Sequence, residues 1–221
     1  MRKPGETVRR NAICLVPMTM LCASLLHAQS APATQHDPAT PGLSTGAEIA
    51  VTYAAQCSIV TGPGNSFWLQ GVAADASLPV YRMGSRELSL AVDLTFGHSG
   101  STGGAGSPLD VVTTVAGPRF TWKASHVGKL QPAFFGEALF GVAHGFNSIF
   151  PEGSSAPGSA NSFALIAGGG IGLPLTRWAG VRLLQIDYVR SSLPNGGANV
   201  QNSFRIATGI TLRFSDMHSR K

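Results

Sequence analysis

Apolar and polar residues alternate one by one along most of the chain beyond residue 46, in segments separated by clusters of Gly, Pro, Asn and Ser. A period of two is typical of β-strands that have one apolar face, because successive side chains point to opposite faces of a sheet. The clusters between the segments are turn signals. The pattern predicts eight strands, at residues 47–56, 67–80, 87–97, 109–123, 130–144, 161–173, 180–191 and 202–214.

The predicted connections alternate between long and short. The long ones are residues 57–66, 98–108, 145–160 and 192–201, and the short ones are residues 81–86, 124–129 and 174–179. Barrels of bacterial outer membranes have short turns at the periplasmic end and longer loops outside, and an even strand count places both termini in the periplasm. The sequence therefore predicts an all-β fold over residues 43–214, an eight-stranded antiparallel up-and-down transmembrane β-barrel.

The last predicted strand shows the two faces most clearly. Phe204, Ile206, Ile210, Leu212 and Phe214 share one face with Thr208, and the other face carries Arg205, Ala207, Gly209, Thr211 and Arg213. The apolar face must point toward lipid. The same phase directs Leu88, Leu90, Val92, Leu94 and Phe96 outward, and in the seventh strand it directs Leu184, Ile186, Tyr188 and Arg182 outward.

The opposite face of the strands collects nearly all of their charges, five acidic and three basic residues. An unpaired ion inside a narrow barrel costs several kcal/mol, so these side chains are expected to pair. Closure of the sheet brings the last strand beside the first, which favours a Glu48–Arg213 pair, and neighbouring strands favour an Asp187–Arg205 pair. The predicted interior charge network is Glu48, Asp75, Asp93, Arg119, Glu137, Asp187, Arg205 and Arg213.

Small residues on the same face are expected to make room for these long side chains, because the interior of an eight-stranded barrel is only wide enough to be filled. The predicted small interior residues are Ala50, Gly71, Ala91, Gly136, Gly168, Gly170 and Gly209.

The N-terminal segment has the pattern of a secretory signal peptide. Four basic residues, Arg2, Lys3, Arg9 and Arg10, precede the uncharged, mostly apolar residues 12–26, and the segment ends at Ala28. That stretch is shorter than the about 18 to 20 residues that a membrane-spanning helix needs. We expect residues 1–28 to be a signal peptide, residues 29–42 a disordered periplasmic linker, and residues 215–221 a periplasmic C-terminal tail.

Charge excludes one class of function. The formal net charge is +5, and the predicted signal peptide holds four basic residues and one acidic residue, or +3, so the remainder is close to neutral. No basic stripe remains for a nucleic acid to bind. Charged residues make up 12% of the chain, against about 25% in an ordinary globular protein, which fits a surface that faces lipid rather than water.

Several short segments resemble those of a known group of proteins. They are Gln185-Ile186-Asp187-Tyr188, Gln201-Asn202-Ser203-Phe204-Arg205, Gly209-Ile210-Thr211-Leu212-Arg213-Phe214, Gly117-Pro118-Arg119-Phe120 and Gly168-Gly169-Gly170. Through them the chain resembles the small bacterial outer-membrane β-barrel domain family, the OmpA-type transmembrane barrel without a periplasmic domain. The resemblance covers residues 43–214.

The resemblance implies a barrel that the outer-membrane assembly machinery inserts by reading a final strand that ends in an aromatic residue. Gly209, Ile210, Leu212 and Phe214 match that C-terminal assembly signal. The tail after Phe214 departs from the family pattern, in which the signal is usually at the extreme C-terminus. The implied partners are outer-membrane lipid and lipopolysaccharide, the assembly machinery and periplasmic chaperones, and a monomer is expected.

Candidate chemistry is sparse. His98 with Ser99, and His144, lie near the predicted outer rim, where a lipid A-modifying hydrolase or acyltransferase would act, but the surrounding Gly and Ser are ordinary loop residues. The histidines at positions 36, 98, 126, 144 and 218 are isolated, so neither a metal nor another cofactor is expected. The leading prediction is a non-enzymatic outer-membrane barrel with a structural, interaction or narrow-pore role. The alternatives are a lipid A-modifying enzyme and a soluble, secreted lipocalin-like binding barrel.

Overall fold

The computed structural model describes residues 46–60, 66–102, 107–125, 130–150, 158–195 and 199–214. The predicted signal peptide, linker and tail lie outside these residues. The described chain forms eight strands: β1 (Ala47–Val60), β2 (Ser66–Met83), β3 (Arg86–Ser99), β4 (Leu109–Lys123), β5 (Ala133–Phe146), β6 (Ser159–Pro174), β7 (Ala179–Ser191) and β8 (Gln201–Phe214). No helix in this part of the chain is long and apolar enough to cross a membrane.

The strands form one closed barrel in sequence order, and each strand pairs antiparallel with its two neighbours. Closure is complete, because β1 pairs with β8 over its whole length, from Ala47 opposite Phe214 to Val60 opposite Gln201. A closed sheet has no unpaired strand edge. The predicted fold, an all-β, eight-stranded, up-and-down antiparallel barrel, is confirmed.

The two faces of the sheet differ as the alternation predicts. In β3 the outward residues Leu88 to Phe96 are exposed at every second position, and the residues between them are buried. The outward face of β8 includes the exposed residues Ile206, Ile210, Leu212 and Phe214. The barrel therefore presents a broad apolar exterior and keeps its polar side chains inside.

The connections give the barrel two different ends. The terminal rim carries both ends of the barrel sequence and the connections 84–85, 124–132 and 175–178, and the loop rim carries the connections 61–65, 100–108, 147–158 and 192–200. The tightest turn, at the terminal rim, needs Gly84, whose φ of 57° is in the left-handed region that glycine favours.

The prediction for the fourth connection was wrong. β5 begins at Ala133, not at residue 130, so the connection runs over residues 124–132 and is as long as two of those at the loop rim. Pro132 stands directly before the strand and has no N–H to donate, which limits pairing at this end. Leu130 makes only an isolated bridge.

The predicted outward direction of Arg182 was also wrong, because a bulge interrupts β7. The pairing of β7 with β8 shifts between Arg182 and Gln185, and both intervening residues, Leu183 and Leu184, face outward. A bulge adds a residue to one strand and reverses the phase of the alternation beyond it. Arg182 therefore points into the barrel, where it is 2% exposed.

Gly136, predicted to face inward, faces outward. It lies opposite Phe120, an outward residue of β4, and Gly169 of β6. Its neighbour Glu137 points inward, and consecutive residues of a regular strand point to opposite faces. The prediction had placed both residues on one face, which a strand without a bulge does not allow.

Candidate functional site

Seven charged side chains and one amide meet in the barrel interior, and we call this group the ion-pair network. It consists of Asp75, Asp93, Arg119, Glu137, Arg182, Gln185, Asp187 and Arg205. Each of its charged side chains is buried. Glu48 and Arg213 lie at the terminal-rim end of the network and are half-buried.

The part of the network nearest the terminal rim is centred on Asp75 of β2. Its carboxylate accepts from Arg119 Nη1 at 2.6 Å and from the guanidinium of Arg182. Arg119 also donates through Nε to Glu137 Oε2 at 2.7 Å. β2 is a neighbour of neither β4 nor β7, so the two contacts of Asp75 cross the lumen, whereas the Arg119–Glu137 contact joins neighbouring strands.

Phe135 of β5 lies against both arginines of this group. Its ring centroid is 4.9 Å from Arg119 Cζ and 4.8 Å from Arg182 Cζ, within cation–π distance. The ring therefore packs against both guanidinium groups and contributes a favourable cation–π contact to each. Adjacent Phe134 faces outward and packs against Trp122 at a centroid distance of 6.0 Å.

The part of the network nearer the loop rim is centred on Arg205 of β8. Its Nε donates to Asp187 Oδ2 at 2.8 Å, and its two Nη atoms each lie 3.2 Å from an oxygen of Asp93. Such a two-point contact fits the planar guanidinium to the carboxylate. Arg205 also donates to Thr95, so every nitrogen of the guanidinium has an acceptor.

Gln185 joins the two halves. Its Nε2 donates to Glu137 Oε1 at 3.1 Å and to Asp187 Oδ2 at 2.9 Å, and its Oε1 accepts from Arg182 Nη1 at 3.0 Å. The network is therefore continuous, and it contains four acidic and three basic side chains. Asp187 is at van der Waals distance from the backbone of β6 only because residue 168 is glycine: a Cβ there would lie 2.2 Å from Asp187 Oδ1.

The structure brings together the side chains that the sequence assigned to the interior. Arg213 donates to Glu48 at 2.7 Å and Arg205 to Asp187, so both expected pairs are in contact. The residue that sequence reasoning missed is Arg182, which changes the expected ratio of five acids to three bases into five to four. The signal in the sequence was the adjacent pair Leu183-Leu184, which fits a bulge, but a similar pair, Phe134-Phe135, occurs in β5 without one.

The residues of the expected assembly signal lie in β8. Ile210, Leu212 and Phe214 are exposed on the outer surface, whereas Gly209 faces inward opposite Thr52 of β1. Recognition of this strand by the assembly machinery stays a prediction.

Two cavities lie on opposite sides of the network. One, of about 360 Å³, opens at the terminal rim and is lined by Arg119, Arg182 and further charged residues of that rim. The other, of about 400 Å³, opens at the loop rim and has mostly apolar walls. The network therefore separates the two ends of the lumen.

The two candidate histidines lie on the outer face near the loop rim. His98 Nδ1 is 2.6 Å from Asp110 Oδ1, and Asn147 Nδ2 donates to the other oxygen of Asp110 at 3.0 Å. Ser99 is buried on the opposite face, and its hydroxyl donates to the carbonyl of Ser101. The Ser99–His98 pair considered for a hydrolase is therefore not formed.

The second histidine, His144, has its Nδ1 2.7 Å from Asn161 Oδ1 and stacks on Phe146. No cluster of three or more metal-binding side chains is found among the described residues.

The chain matches no known family model and no curated protein. Among solved structures it is similar to neisserial surface protein A, with 16% identity, a TM-score of 0.50, and coverage of 76% of this chain and 97% of the other. It is also similar to the attachment invasion locus protein Ail of Yersinia pestis, with 15% identity, a TM-score of 0.48, and coverage of 77% and 99%.

A third similar structure is the N-terminal β-barrel domain of OprF from Pseudomonas aeruginosa, with 13% identity, a TM-score of 0.35, and coverage of 77% and 98%. At these identities the likeness shows the fold alone, an eight-stranded antiparallel barrel.

Proposed function

We propose that this chain is an integral protein of the bacterial outer membrane with a structural or interaction role, and that its lumen is closed to ions. The observation that carries the proposal is the ion-pair network, which fills the lumen of a barrel whose exterior is apolar. Neisserial surface protein A, which has the same fold, is by its name a surface protein.

The height of the apolar exterior supports a membrane location. In β3 the exposed residues run from Leu88 to Phe96. This is about 26 Å along a strand that rises about 3.3 Å per residue, and about 20 Å of height at a tilt of about 40°. The apolar band of outer-membrane barrels is about 25 Å tall. Exposed apolar surface of this extent is unfavourable in water and favourable in lipid.

The membrane location implies the partners. The exterior contacts outer-membrane lipid, the loop rim faces lipopolysaccharide, and chaperones with the assembly machinery deliver the chain. Because closure leaves no strand edge for a second copy to extend, the proposal includes a monomer.

We also propose that the chain is not an enzyme. A nucleophilic serine needs a base within about 3.2 Å, and Ser99 points away from His98. The test is His98→Ala combined with His144→Ala, followed by mass analysis of lipid A from cells with and without the protein. Unchanged acyl chains in all samples are expected, and acyl chains that differ only when the wild-type protein is present would refute this part.

Membrane location is tested by fractionation and by electrophoresis in detergent. The protein should be recovered with the outer membrane and should migrate faster before heating than after, since a closed barrel resists unfolding by detergent. Recovery in the soluble periplasmic fraction would contradict the proposal and would favour the lipocalin-like alternative.

Closure of the lumen is tested by single-channel recording in planar bilayers. The wild type should show no discrete current steps. Replacing Arg119 and Glu137 together by Ala removes two long side chains without leaving an excess charge, and steps should then appear. The matched control replaces the pair Arg82 and Glu87, which lines the mouth of the terminal-rim cavity and is not part of the ion-pair network, and should stay silent. Stable steps from the wild type would contradict a closed lumen.

A further inference from the structure

The loop-rim cavity differs in composition from the cavity at the terminal rim, which is lined by several charged side chains. Its walls include four buried apolar side chains, Leu69, Leu109, Phe150 and Leu193, which pack into one cluster. None of the described residues that line it is charged. Its volume of about 400 Å³ is within the roughly 300 to 1,000 Å³ of ordinary small-molecule sites, which are also mostly apolar.

The apolar walls are held in place by specific contacts. Phe150, in the connection after β5, is 4% exposed, and it fits because residue 145 beneath it is glycine: a Cβ there would lie 2.6 Å from Phe150 Cζ. Leu193, in the connection after β7, is fixed through its backbone by Gln201. The Gln201 carboxamide accepts from Leu193 N–H at 2.9 Å and donates to the Leu193 carbonyl at 2.7 Å.

The charges below the cavity exclude an anionic ligand. Arg205, the cation in this half of the network, already uses four of its five N–H groups on Asp93, Asp187 and Thr95, and its charge is matched by those two carboxylates. Asp93 and Asp187 outnumber Arg205, so this part of the network has a negative net charge. The polar groups that the cavity itself offers are uncharged, namely those of Gln56, Ser58 and Thr113 among others.

We infer that the loop-rim cavity is a binding site for a small neutral molecule with an apolar body and a single hydrogen-bonding group, such as a medium-chain alcohol. The apolar body contacts the Leu69–Phe150–Leu193 walls, and the hydrogen-bonding group meets an uncharged side chain. The inference rests on the proposed function in one respect, namely that the molecule enters the cavity from the cell exterior. The ion-pair network forms the floor, so the molecule leaves by the way it entered.

The test is a methyl NMR titration of the full barrel in lipid nanodiscs, with 1-octanol as the probe. Methyl signals of Leu69, Leu109 and Leu193 report the cavity, and those of the exposed residues Leu90 and Leu94 on β3 report the probe dissolved in lipid. Saturable shifts of the cavity methyls are expected at concentrations that leave the exterior methyls unchanged. Shifts confined to the exterior methyls would overturn the site.

Octanoate, which has the same chain length as 1-octanol but is ionised at neutral pH, is the control ligand. It should bind at least tenfold more weakly than 1-octanol. Equal binding of the two would overturn the neutral specificity.

Two variants test the location. Ala143→Phe fills the cavity from its wall and should weaken 1-octanol binding tenfold or more, whereas Ala116→Phe places the same ring on the exterior and should leave it unchanged. Leu193→Gln, in a connection rather than a strand, keeps the volume, makes the wall polar and should also weaken binding. Unchanged affinity in both cavity variants would contradict the site.

Folding of each variant is checked by the heat-dependent migration. A barrel that is recovered with the outer membrane yet shows no cavity shifts would contradict the site alone. A soluble barrel that does show the shifts would contradict the proposed function alone.

Discussion

Arg205 shows how a single residue holds distant strands together. It lies on β8, and it donates to Asp187 on the neighbouring strand and to Asp93 on β3 across the lumen. Desolvation of a buried guanidinium is costly, and only several well-placed acceptors offset it. Phe135 likewise contacts residues of two other strands, Arg119 and Arg182. Stability in the interior therefore depends on the pairing of buried charges as well as on apolar packing.

Replacing Arg205 by Gln should destabilise the barrel strongly, because Asp93 and Asp187 would stay buried without a cation. We expect a loss of about 3 to 5 kcal/mol in the free energy of unfolding, the range for breaking a buried pair. Urea titration in detergent, followed by circular dichroism, measures it. Arg82→Gln breaks a pair with Glu87 at the terminal rim in which the arginine is exposed to solvent, and it should cost at most about 1 kcal/mol. Equal losses of unfolding free energy in the two variants would contradict the larger contribution of the buried ion pairs.

Gly136 and Gly168 lie on the neighbouring strands β5 and β6 and differ in how much space a side chain would have there. Gly168→Ala places a Cβ 2.2 Å from Asp187 Oδ1 and 2.4 Å from the Ile186 carbonyl, so the network must shift. We expect a loss of about 1 to 3 kcal/mol, typical of overpacking. Gly136→Ala is the control, because its nearest neighbour is 3.7 Å away, and its stability should stay within about 0.5 kcal/mol of the wild type. The same urea titration compares them, and a stable Gly168→Ala variant would contradict the close approach.

At the scale of the strands, the alternation of apolar and polar residues was sufficient where the strands are regular. It gave the number of strands and the faces of β3 and β8 correctly, because a period of two follows directly from the pleat. It failed at β7, where Leu183 and Leu184 both face outward and Arg182 turns inward. The inward–outward alternation counted from one end of a strand is reversed beyond a bulge, and in β7 the bulge is marked in the sequence by the adjacent Leu183 and Leu184.

The contacts across the lumen were beyond sequence reasoning for a different reason. Neighbouring strands could be inferred from their order, which gave the Glu48–Arg213 and Asp187–Arg205 pairs. Contacts such as Arg182 with Asp75, or Arg205 with Asp93, depend on the relative heights of strands that are not neighbours. Those heights follow from the stagger of the whole barrel, which no single strand specifies.

Phe214 is the last residue of β8 and of the expected assembly signal. Its side chain is 53% exposed on the exterior, so Phe214→Ala should leave the stability of the purified barrel in detergent nearly unchanged. If the final strand is the assembly signal, the same variant should lower the amount inserted in cells severalfold. Phe120→Ala, at another exposed aromatic residue on β4, is the control and should insert normally. Equal amounts of the two variants in the outer membrane would contradict a signal at Phe214.

At the scale of the whole molecule, closure makes every strand depend on two others. β1 and β8 are as fully paired as any strands adjacent in sequence, and the network links β2, β3, β4, β5, β7 and β8 through the lumen. No strand in the described barrel can separate without breaking two backbone ladders, and every strand except β6 also carries a residue of an ion pair. We therefore expect the barrel to unfold as one unit.

Cooperative unfolding can be checked because the three tryptophans lie at both rims. Trp68 is near the loop rim, and Trp122 and Trp178 are near the terminal rim. Urea titrations followed by fluorescence and by circular dichroism should have the same midpoint. Trp68→Phe leaves signals from the terminal rim alone and should give that midpoint again. Separate midpoints would show that the two ends unfold independently.

The pairing of β5 with β6 continues to Phe146 opposite Ser159, just below the longest connection of the barrel. The backbone ladder between β5 and β6 is thus continuous up to the ends of both strands. If the barrel lies in the outer membrane as proposed, a foreign peptide grafted between these two strands would have a rigid base anchored in the bilayer. The barrel would then be a carrier for presenting antigens or affinity tags on living bacteria.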